Sequence, residues 1–469
     1  MSFMKNLTLK NIAEACGGKL YGRREGLDAK EAEGVVLDSR LVESGYLFIA
    51  TKGERVDGHS FIPQVLQKGA VGVVCEKLPE VREEKDCFIL VEDSFQALKD
   101  IAGFYREQLD LTVVGITGSV GKTSTKECIA SVLAEKYKVL KTEGNFNNEV
   151  GLPLTILKIR DYHEAAVVEM GISDFGEMHR LSKIARPDIC VLTNIGQCHL
   201  ENLKSRQGIL KAKTEIFDFM KEDGLVCLNG DDDMLATIAE VKGRRPMTFG
   251  RRESNRVYAE YVENKGLFGS RAAVHMDDEA FDMDIPLPGE HMVYNALAAV
   301  CVGSLLGLTR EEMQNGIAKV ETVSGRSHIL RLKDRVVIDD CYNANPVSVC
   351  AAIDLLNTAL SRKAAILGDM FELGEKEKEM HAEVGTYAVE RGIDVLVFVG
   401  ALAECMYESA VKTADRQGRS KERIYYFKEK KEFLEKRGEI LQKGDTILVK
   451  ASHGMAFQEI VESLKSEEK

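Results

Sequence analysis

Residues 115–125 read Gly-Ile-Thr-Gly-Ser-Val-Gly-Lys-Thr-Ser-Thr, and they set the interpretation of the whole chain. They follow an apolar run at 111–114 that predicts a buried strand, and they precede a segment with apolar residues at helical spacing. A glycine-rich loop between a strand and a helix is typical of a phosphate-binding loop, because backbone N–H groups and the helix N-terminus face the phosphates. Lys122 would then neutralise the outer phosphates of a nucleoside triphosphate, and the Thr123 hydroxyl would ligate Mg²⁺. The loop is a variant, since Ile116 stands where the common pattern has its first glycine.

Composition limits the class of protein. A chain of 469 residues with 44% hydrophobic residues predicts about three packed domains. The net charge of −12 argues against a general role on nucleic acids or membrane surfaces. The N-terminus has no apolar core typical of a signal peptide, and no run of 18 apolar residues occurs, so a cytoplasmic protein without membrane insertion is expected. Its 11 cysteines include no C-x-x-C pair and are expected to be buried small hydrophobes.

The first predicted domain covers residues 1–107. Two of its predicted strands end in a polar residue followed by a basic one, Ser39-Arg40 and Thr51-Lys52. Such tips are suited to holding a phosphorylated ligand, and they are equally compatible with ordinary turns. The pattern alone leaves both interpretations open.

The second predicted domain, residues 108–323, contains the phosphate loop. Glu169 ends one predicted buried strand, and His199 follows the next. Ligands of open α/β sheets bind at the carboxyl ends of the strands, so both residues are candidates for a metal site, with a structural histidine as the alternative. Residues 141–153 form a polar loop, either an active-site lip or a surface turn, and residues 256–288 predict a β-meander. Lys213, on a helix predicted at 206–220, would ordinarily be a solvated surface lysine.

The third predicted domain, residues 324–469, alternates strands and helices, which predicts a parallel, Rossmann-like sheet. Its first turn has no G-x-G-x-x-G, so dinucleotide binding by that route is not expected. The predicted fold class is therefore α/β with three domains: a small N-terminal α/β domain, a central phosphate-loop domain with a mainly parallel sheet and a small β-meander, and a C-terminal Rossmann-like domain.

These tracts together resemble the Mur ligase family over nearly the whole chain. The resemblance rests on the phosphate loop and on a set of further tracts, at residues 38–40, 47–53, 57–59, 144–153, 169–171, 194–201, 325–326, 338–346 and 367–374. Residues 342–346 and 367–374 are the most specific, and they are similar to the members that join D-alanyl-D-alanine to UDP-N-acetylmuramoyl-tripeptide in peptidoglycan synthesis.

The resemblance implies an N-terminal binder of the UDP-sugar peptide, a central ATPase, and a C-terminal domain that closes on the amino substrate. It also implies that ATP converts the substrate carboxylate to an acyl phosphate, which the incoming amine attacks to give the amide, ADP and phosphate. A monomer without nucleic-acid partners is expected.

Residue roles follow from the resemblance by position. The ATP phosphates would be held by Gly118, Ser119, Val120, Gly121, Lys122, Thr123 and Ser124. Asn295 would contact adenine, and Arg326 and Asp340 would reach the nucleotide from the domain junction and the third domain. Glu169 and His199 would hold metal, including a second Mg²⁺ beside the one at Thr123, and Lys213 would be carbamylated to an anionic ligand. The UDP-sugar peptide would meet Ser39, Arg40, Thr51, Lys52, Asn147 and Asn148. Lys122, Glu169, His199 and Lys213 would thus be the catalytic group.

The sequence departs from the family at two places. His291-Met292 stands where the family usually has His-Asn, and Lys450-Ala451-Ser452-His453 stands where these ligases usually have Lys-Gly-Ser-Arg. His453 lacks the permanent charge and the bidentate fork of arginine. A ligase of another dipeptide is therefore an alternative.

Other functions are less consistent with the sequence. A ligase adding diaminopimelate would usually carry an Asp-Asn-Pro-Arg tract, which does not occur. Folylpolyglutamate synthetase shares the loop and the lysine but lacks the N-terminal domain. A catalytically inactive nucleotide-binding scaffold would not need Lys122, Glu169, His199 and Lys213 together.

Overall fold

The computed structural model describes residues 4–22, 31–53, 56–322 and 324–466, which form three sheet-containing regions with flanking helices. None of the helices in these ranges is both long and apolar enough to cross a bilayer. The three regions correspond to the predicted α/β architecture, and the strand order of each sheet determines which loops face the site.

The N-terminal region has a five-stranded sheet in the order β1-β5-β4-β3-β2, parallel except that β1 runs antiparallel to β5. Its strands are β1 (Lys19–Tyr21), β2 (Gly34–Val36), β3 (Tyr46–Ile49), β4 (Gly72–Cys75) and β5 (Phe88–Leu90). Its helices are α1 (Leu9–Ala15), α2 (Ile62–Gln67) and α3 (Ser94–Glu107), with short 3₁₀ turns at Ser39–Leu41 and Gly58–Phe61. The Asp93 side chain caps α3 by accepting hydrogen bonds from two backbone N–H groups.

The central region has a nine-stranded sheet in the order β14-β13-β12-β11-β10-β9-β6-β8-β7. Its strands are β6 (Thr112–Thr117), β7 (Val139–Lys141), β8 (Ala165–Glu169), β9 (Ile189–Leu192), β10 (Leu225–Asn229), β11 (Met247–Gly250), β12 (Val257–Asn264), β13 (Ser270–Met276) and β14 (Glu279–Ile285). The predicted meander is β12 to β14, which is antiparallel and extends the same sheet. The remaining pairs are parallel, and the register places Glu169 beside Ile116 at the carboxyl end of β6.

The central helices are α4 (Lys122–Leu133), α5 (Gly151–Ile156), α6 (Glu177–Ala185), α7 (Leu200–Leu203), α8 (Arg206–Thr214), α9 (Met292–Leu305) and α10 (Arg310–Ala318), with 3₁₀ turns at Glu215–Phe217, Leu235–Thr237 and Gly266–Phe268. The helix predicted at 206–220 is shorter than expected, because α8 ends at Thr214 and continues only as a 3₁₀ turn.

The C-terminal region has a six-stranded sheet in the order β15-β16-β20-β17-β18-β19. Its strands are β15 (His328–Arg331), β16 (Val336–Asp339), β17 (Lys363–Gly368), β18 (Val395–Val399), β19 (Ile424–Phe427) and β20 (Thr446–Lys450). Its helices are α11 (Pro346–Asn357), α12 (Glu377–Glu390), α13 (Ala403–Arg416), α14 (Lys430–Ile440) and α15 (Gln458–Ser466), with 3₁₀ turns at Gly374–Lys376 and His453–Met455. Five of the six strands are parallel, as predicted for a Rossmann-like sheet, and β15 at one edge pairs antiparallel with β16.

Apolar side chains divide into several cores. One core joins helices and strands of the N-terminal region to the inner face of the central sheet, including Tyr105, Leu152 and Leu181. A second core fills the other face of the central sheet beneath α4 and α9. Two further cores lie on the two faces of the C-terminal sheet.

Candidate active site

The phosphate loop runs from the end of β6 into α4, and its two glycines have backbone conformations that side chains disfavour. Gly121 precedes the helix with φ at +81°, and Gly118 has φ at +154°. A Cβ on Gly118 would lie 1.9 Å from the Thr193 hydroxyl oxygen, so the loop approaches β9 too closely for any side chain there. The Lys122 ammonium donates a 2.9 Å hydrogen bond to the carbonyl of Gly118, which keeps it over the loop.

Asn194 holds the middle of the loop, a role that sequence reasoning did not assign to it. Its side chain accepts a 3.0 Å hydrogen bond from the N–H of Val120 and donates one of 3.0 Å to the Val120 carbonyl. The Ser119 hydroxyl accepts from the N–H of Gly196 at 2.8 Å. The segment after β9 therefore fixes the loop that follows β6, as expected for neighbouring parallel strands.

Asn295, on α9, reaches the same loop from the other side. Its side-chain oxygen accepts a 2.9 Å hydrogen bond from the Thr125 hydroxyl, and it lies 3.2 Å from where a Gly121 Cβ would be. Its amide nitrogen lies 3.1 Å from the sulfur of Met292. The predicted adenine-binding residue thus lies beside the loop and supports it.

Glu169 is a buried carboxylate that only neutral groups contact. It is 1% exposed, and its oxygens accept 2.8 Å hydrogen bonds from the Thr123 hydroxyl and the Asn147 amide. Within the described part of the chain, no lysine, arginine or histidine forms an ion pair with it. A buried carboxylate without a cationic partner is costly, and a metal ion would offset that cost.

Lys213 is the complementary case, a buried ammonium that no carboxylate contacts. It is 1% exposed, and its side-chain nitrogen makes no hydrogen bond or ion pair within the described ranges. Burial lowers the pKa of Lys213 to about 8; the Cys198 thiol opposes this shift and Lys122 adds to it. A substantial neutral fraction near physiological pH gives the amine a free lone pair, which is the form that reacts with CO₂.

His199 lies at the start of α7 and faces the C-terminal region. Its Nδ1 is 2.6 Å from a carboxylate oxygen of Glu372. Burial lowers the pKa of His199, the Glu372 carboxylate opposes that shift, and Lys122 and Lys213 reinforce it. Both lysines act on the His199 ring, and His199 lines the same cavity as the phosphate loop.

The C-terminal region supplies the facing wall. The Lys450 ammonium donates to a carboxylate oxygen of Asp340 at 2.7 Å and to the carbonyl of Asn343 at 2.9 Å. The other carboxylate oxygen of Asp340 accepts from the N–H of Ser327 at 2.9 Å. Asp340, predicted to contact the nucleotide, is thereby held in a buried ion pair at the end of β16.

Arg326 and His453 both lie against Tyr342. The Arg326 guanidinium carbon is 4.2 Å from the centre of the Tyr342 ring, and the His453 ring centre is 5.4 Å from it. Guanidinium groups favour the face of an aromatic ring. The residue that departs from the family thus lies in an aromatic and cationic cluster on the cavity wall.

These two walls enclose a cavity of about 1050 Å³. Its lining includes most predicted ATP and metal residues, namely Ser119, Val120, Gly121, Lys122, Ser124, Glu169, His199, Asn295, Arg326 and Asp340. Gly118, Thr123 and Lys213 are not among the lining residues. Cys198, whose thiol affects the pKa of Lys213, does line the cavity. Two exposed apolar side chains, Val347 and Phe371, line the C-terminal side.

Asn147 and Asn148 line the cavity too, but their side chains have different partners. Asn147 donates to Glu169, whereas the Asn148 oxygen accepts from the N–H groups of Val150 and Gly151 at 3.1 and 2.9 Å. Asn148 therefore caps α5. Five residues of the polar loop at 141–153 line this cavity, in keeping with the interpretation of the loop as an active-site lip.

Four of the predicted UDP-sugar residues, Ser39, Arg40, Thr51 and Lys52, are not among the residues that line this cavity. Ser39 begins the 3₁₀ turn after β2, and Arg40 forms a two-pronged pair with Asp38 at 2.9 and 2.6 Å while remaining exposed. That pair lowers the pKa of Asp38 to about 2, chiefly through the hydrogen bond from Arg40. Thr51 follows β3, and the backbone of Lys52 forms an isolated antiparallel β-bridge with that of Asp57. Both polar-basic segments therefore follow the carboxyl ends of the adjacent parallel strands β2 and β3.

The donor set suits Mg²⁺, which prefers oxygen ligands and retains waters. Thr123 and Glu169 offer a hydroxyl and a carboxylate within hydrogen-bond distance of each other, and His199 offers an imidazole nitrogen. No group of three His, Cys, Asp or Glu side chains arranged for a metal occurs in the residues that the structure describes. A carbamate on Lys213 would add an anionic oxygen ligand to this cluster.

Comparison with known proteins agrees with this arrangement. Residues 31–106 match the Mur ligase family, catalytic domain; residues 116–303 match the Mur ligase middle domain; and residues 325–453 match the Mur ligase, glutamate ligase domain. The UDP-N-acetylmuramoyl-tripeptide--D-alanyl-D-alanine ligase of Bacillus subtilis is 37% identical over 97% of this chain and 98% of its own length. Its Escherichia coli counterpart is 31% identical over 98% and 99% of the two chains.

Solved structures extend the comparison to the fold. MurF from Acinetobacter baumannii superposes with a TM-score of 0.88, at 30% identity over 98% of both chains. MurF ligase from Thermotoga maritima, solved in complex with ADP, gives a TM-score of 0.79 at 32% identity over 92% of this chain and 97% of its own. Profile, sequence and fold agree over all three regions: the chain belongs to the Mur ligase family.

Proposed function

We propose that the chain is an ATP-dependent, ADP-forming ligase that joins D-alanyl-D-alanine to UDP-N-acetylmuramoyl-tripeptide in peptidoglycan synthesis. The observation that carries the proposal is one cavity, between the central and C-terminal regions, lined by the phosphate loop, Glu169 and His199 on one side and Arg326 and Asp340 on the other. The names of the relatives, matched over almost their whole lengths, support the choice of substrates.

A carboxylate is a poor electrophile, and two anions must approach each other when ATP phosphorylates it. The loop N–H groups and Lys122 would hold and neutralise the ATP phosphates, which lowers the cost of that approach. The acyl phosphate so formed has a good leaving group, and the amine of the dipeptide displaces it to give the amide and phosphate. The Lys122 position over the loop suits this role.

Mg²⁺ would be held by Thr123, Glu169 and His199, and it would supply charge neutralisation for the phosphates. Asn147 would orient Glu169 through its 2.8 Å hydrogen bond. Lys213, carbamylated by CO₂, would become an anionic ligand of a second Mg²⁺. Its burial, its lowered pKa and its lack of a carboxylate partner support this assignment.

The remaining roles follow the same geometry. Asn295 is proposed to contact adenine, and Arg326 and Asp340 to reach the nucleotide from the facing wall. Ser39, Arg40, Thr51 and Lys52 are proposed to hold the uridine diphosphate end, with Asn147 and Asn148 nearer the peptide. The proposed domain limits are 1–107, 108–323 and 324–469. A cytoplasmic monomer is also proposed.

The test is ADP and phosphate release by the full chain with ATP and Mg²⁺. Release that requires both UDP-N-acetylmuramoyl-tripeptide and D-alanyl-D-alanine is expected. Release with the UDP-sugar peptide and a single amino acid would instead identify an amino-acid-adding ligase and reject the proposal.

His453 favours a second candidate, a ligase of the same type with another dipeptide. Its ring lies on Tyr342 at the cavity wall, where the family usually has arginine. Competition among D-alanyl-D-alanine, D-alanyl-D-lactate and D-alanyl-D-serine in the same assay distinguishes the two candidates. A kcat/KM for D-alanyl-D-alanine at least tenfold above the others supports the first.

A further inference from the structure

Among the described residues, a proposed metal-binding residue makes a close polar contact with the C-terminal region. His199 follows β9 of the central sheet, whereas Glu372 follows β17 of the C-terminal sheet. The His199 Nδ1 and the Glu372 carboxylate oxygen are 2.6 Å apart. Nothing in the proposed chemistry requires a carboxylate at residue 372, so the contact needs its own explanation.

The backbone is strained on both sides of this contact. His199 has φ at +51° and Glu372 has φ at +62°, in the left-handed region that residues with a Cβ disfavour. Such conformations are unfavourable and persist where the surrounding structure imposes them. Two of them that meet across a boundary between regions point to a contact with a function.

Apolar packing lies beside the contact between His199 and Glu372. Leu200, next to His199, packs against the C-terminal core that contains Leu373, the neighbour of Glu372. Gly374 completes the joint, since a Cβ there would lie 3.6 Å from the backbone nitrogen of Glu201. The two segments therefore form a docking joint, defined here as residues 199–201 and 372–374.

The pairing also determines which imidazole nitrogen is available. A carboxylate at Nδ1 favours the tautomer that carries its proton there, which leaves the lone pair of Nε2 for a metal. Histidines that ligate metals almost always donate their other N–H to such a partner, and loss of that partner typically costs 10- to 100-fold in metal affinity or activity. Here the partner comes from a different domain than the histidine.

We infer that Glu372 is a positioning residue that orients His199 toward the metal only when the C-terminal domain is docked. Docking and assembly of the metal site are then a single event, so ATP turnover is delayed until the domain carrying the amino-substrate wall is in place. This inference rests on the proposed function for the metal role of His199.

The experiment compares the full-length wild type with Glu372→Ala and Glu372→Gln. Glu375→Ala is the matched control, because Glu375 is exposed, lies three residues away and has no part in the joint. Three quantities are measured: Mn²⁺ affinity by electron paramagnetic resonance with ADP present, compaction by X-ray scattering with a non-hydrolysable ATP analogue, and kcat and KM for each substrate. Thermal unfolding verifies that each variant is folded.

The expected result for Glu372→Ala is Mn²⁺ binding weakened 10- to 100-fold, reduced compaction, and a fall of similar size in kcat with the KM for the UDP-sugar peptide unchanged. Glu372→Gln, which can still accept a hydrogen bond, should lose less, and Glu375→Ala should match the wild type. The inference is overturned if Glu372→Ala keeps Mn²⁺ affinity and compaction within twofold of the wild type, or if the control loses as much. Failure of the wild type to ligate would reject the proposed function instead, and the binding and scattering measurements would still decide the role of Glu372.

Discussion

The phosphate-loop region and the strand tips of the N-terminal region both carry charged side chains, but in opposite settings. Around the loop, Glu169 and Lys213 are each 1% exposed, and among the residues that the structure describes neither has a partner of opposite charge. At the tips, Arg40 is exposed and pairs with Asp38. Burial makes an unpaired charge expensive, so it implies a missing ligand, whereas an exposed ion pair contributes little to stability. Five substitutions, two of them with matched controls, test how far this contrast extends.

Lys122→Ala is expected to have the largest effect, a fall in kcat of roughly 1,000-fold, because the substitution removes a fixed charge from the phosphates in the transition state. ADP release with both substrates measures it. Lys138→Ala, an exposed lysine beyond the same helix, is the control and should retain full turnover. A Lys122→Ala enzyme within tenfold of the wild type would contradict the role of Lys122.

Lys213→Ala should reduce kcat by about 100-fold, since it removes the proposed anionic metal ligand. Added acetate or formate should restore part of the loss by supplying a carboxylate to the space left behind. Lys211→Ala, exposed on the same helix, should have no effect. Full activity of Lys213→Ala, or a loss that no carboxylate restores, would count against the carbamate, and ¹³C NMR with labelled CO₂ tests it directly.

Asn147→Ala and Asn148→Ala form a pair of adjacent residues with different expected results. Asn147→Ala removes a hydrogen bond to Glu169 and should weaken Mg²⁺ activation about tenfold, with little change in stability. Asn148→Ala removes the cap of α5 and should lower the free energy of unfolding by about 1 kcal/mol. Titration of turnover with Mg²⁺ and urea unfolding separate the two. Equal behaviour in both assays would show that the contacts do not divide the roles in this way.

Arg40→Ala should have the smallest effect. Because the pair is exposed, stability at neutral pH should not change measurably, while the KM for the UDP-sugar peptide should rise about fivefold. The pKa of Asp38, about 2 in the wild type, should return toward its ordinary value of 3.8. The pair's small contribution to stability is present above that ordinary value and is lost as pH falls through about 2. NMR titration of Asp38 measures the shift, and an unchanged pKa would exclude the pairing in solution.

The sequence predicts the parts of the site that depend on local pattern. The loop between β6 and α4 and the position of Glu169 at a strand end follow from apolar runs and glycine spacing. Lys213 could not be predicted in this way, because a lysine on a short helix reads as surface, and only the packing shows that it is buried. The family resemblance provided its role without a physical reason.

Other features need the folded chain. Asn147 and Asn148 are equivalent in sequence, and their different partners depend on where β8 and α5 lie. The strand Ile424–Phe427 is difficult to predict from local pattern, because it is short and is flanked by segments rich in charged residues at 419–423 and 428–432. The contact of Glu372 with His199 joins residues from two sheets, so no local pattern indicates it.

The shared core of the N-terminal and central regions has a consequence for how the molecule unfolds. Tyr105 packs into that core and donates a 2.7 Å hydrogen bond to the carbonyl of Ile159, and Arg106 is buried with its guanidinium on the carbonyls of Ala185 and Arg186. Loss of either region exposes the apolar surface of the other, so the two should melt together as one cooperative unit. The C-terminal region has cores of its own, so it is the part that can separate from the others while remaining folded.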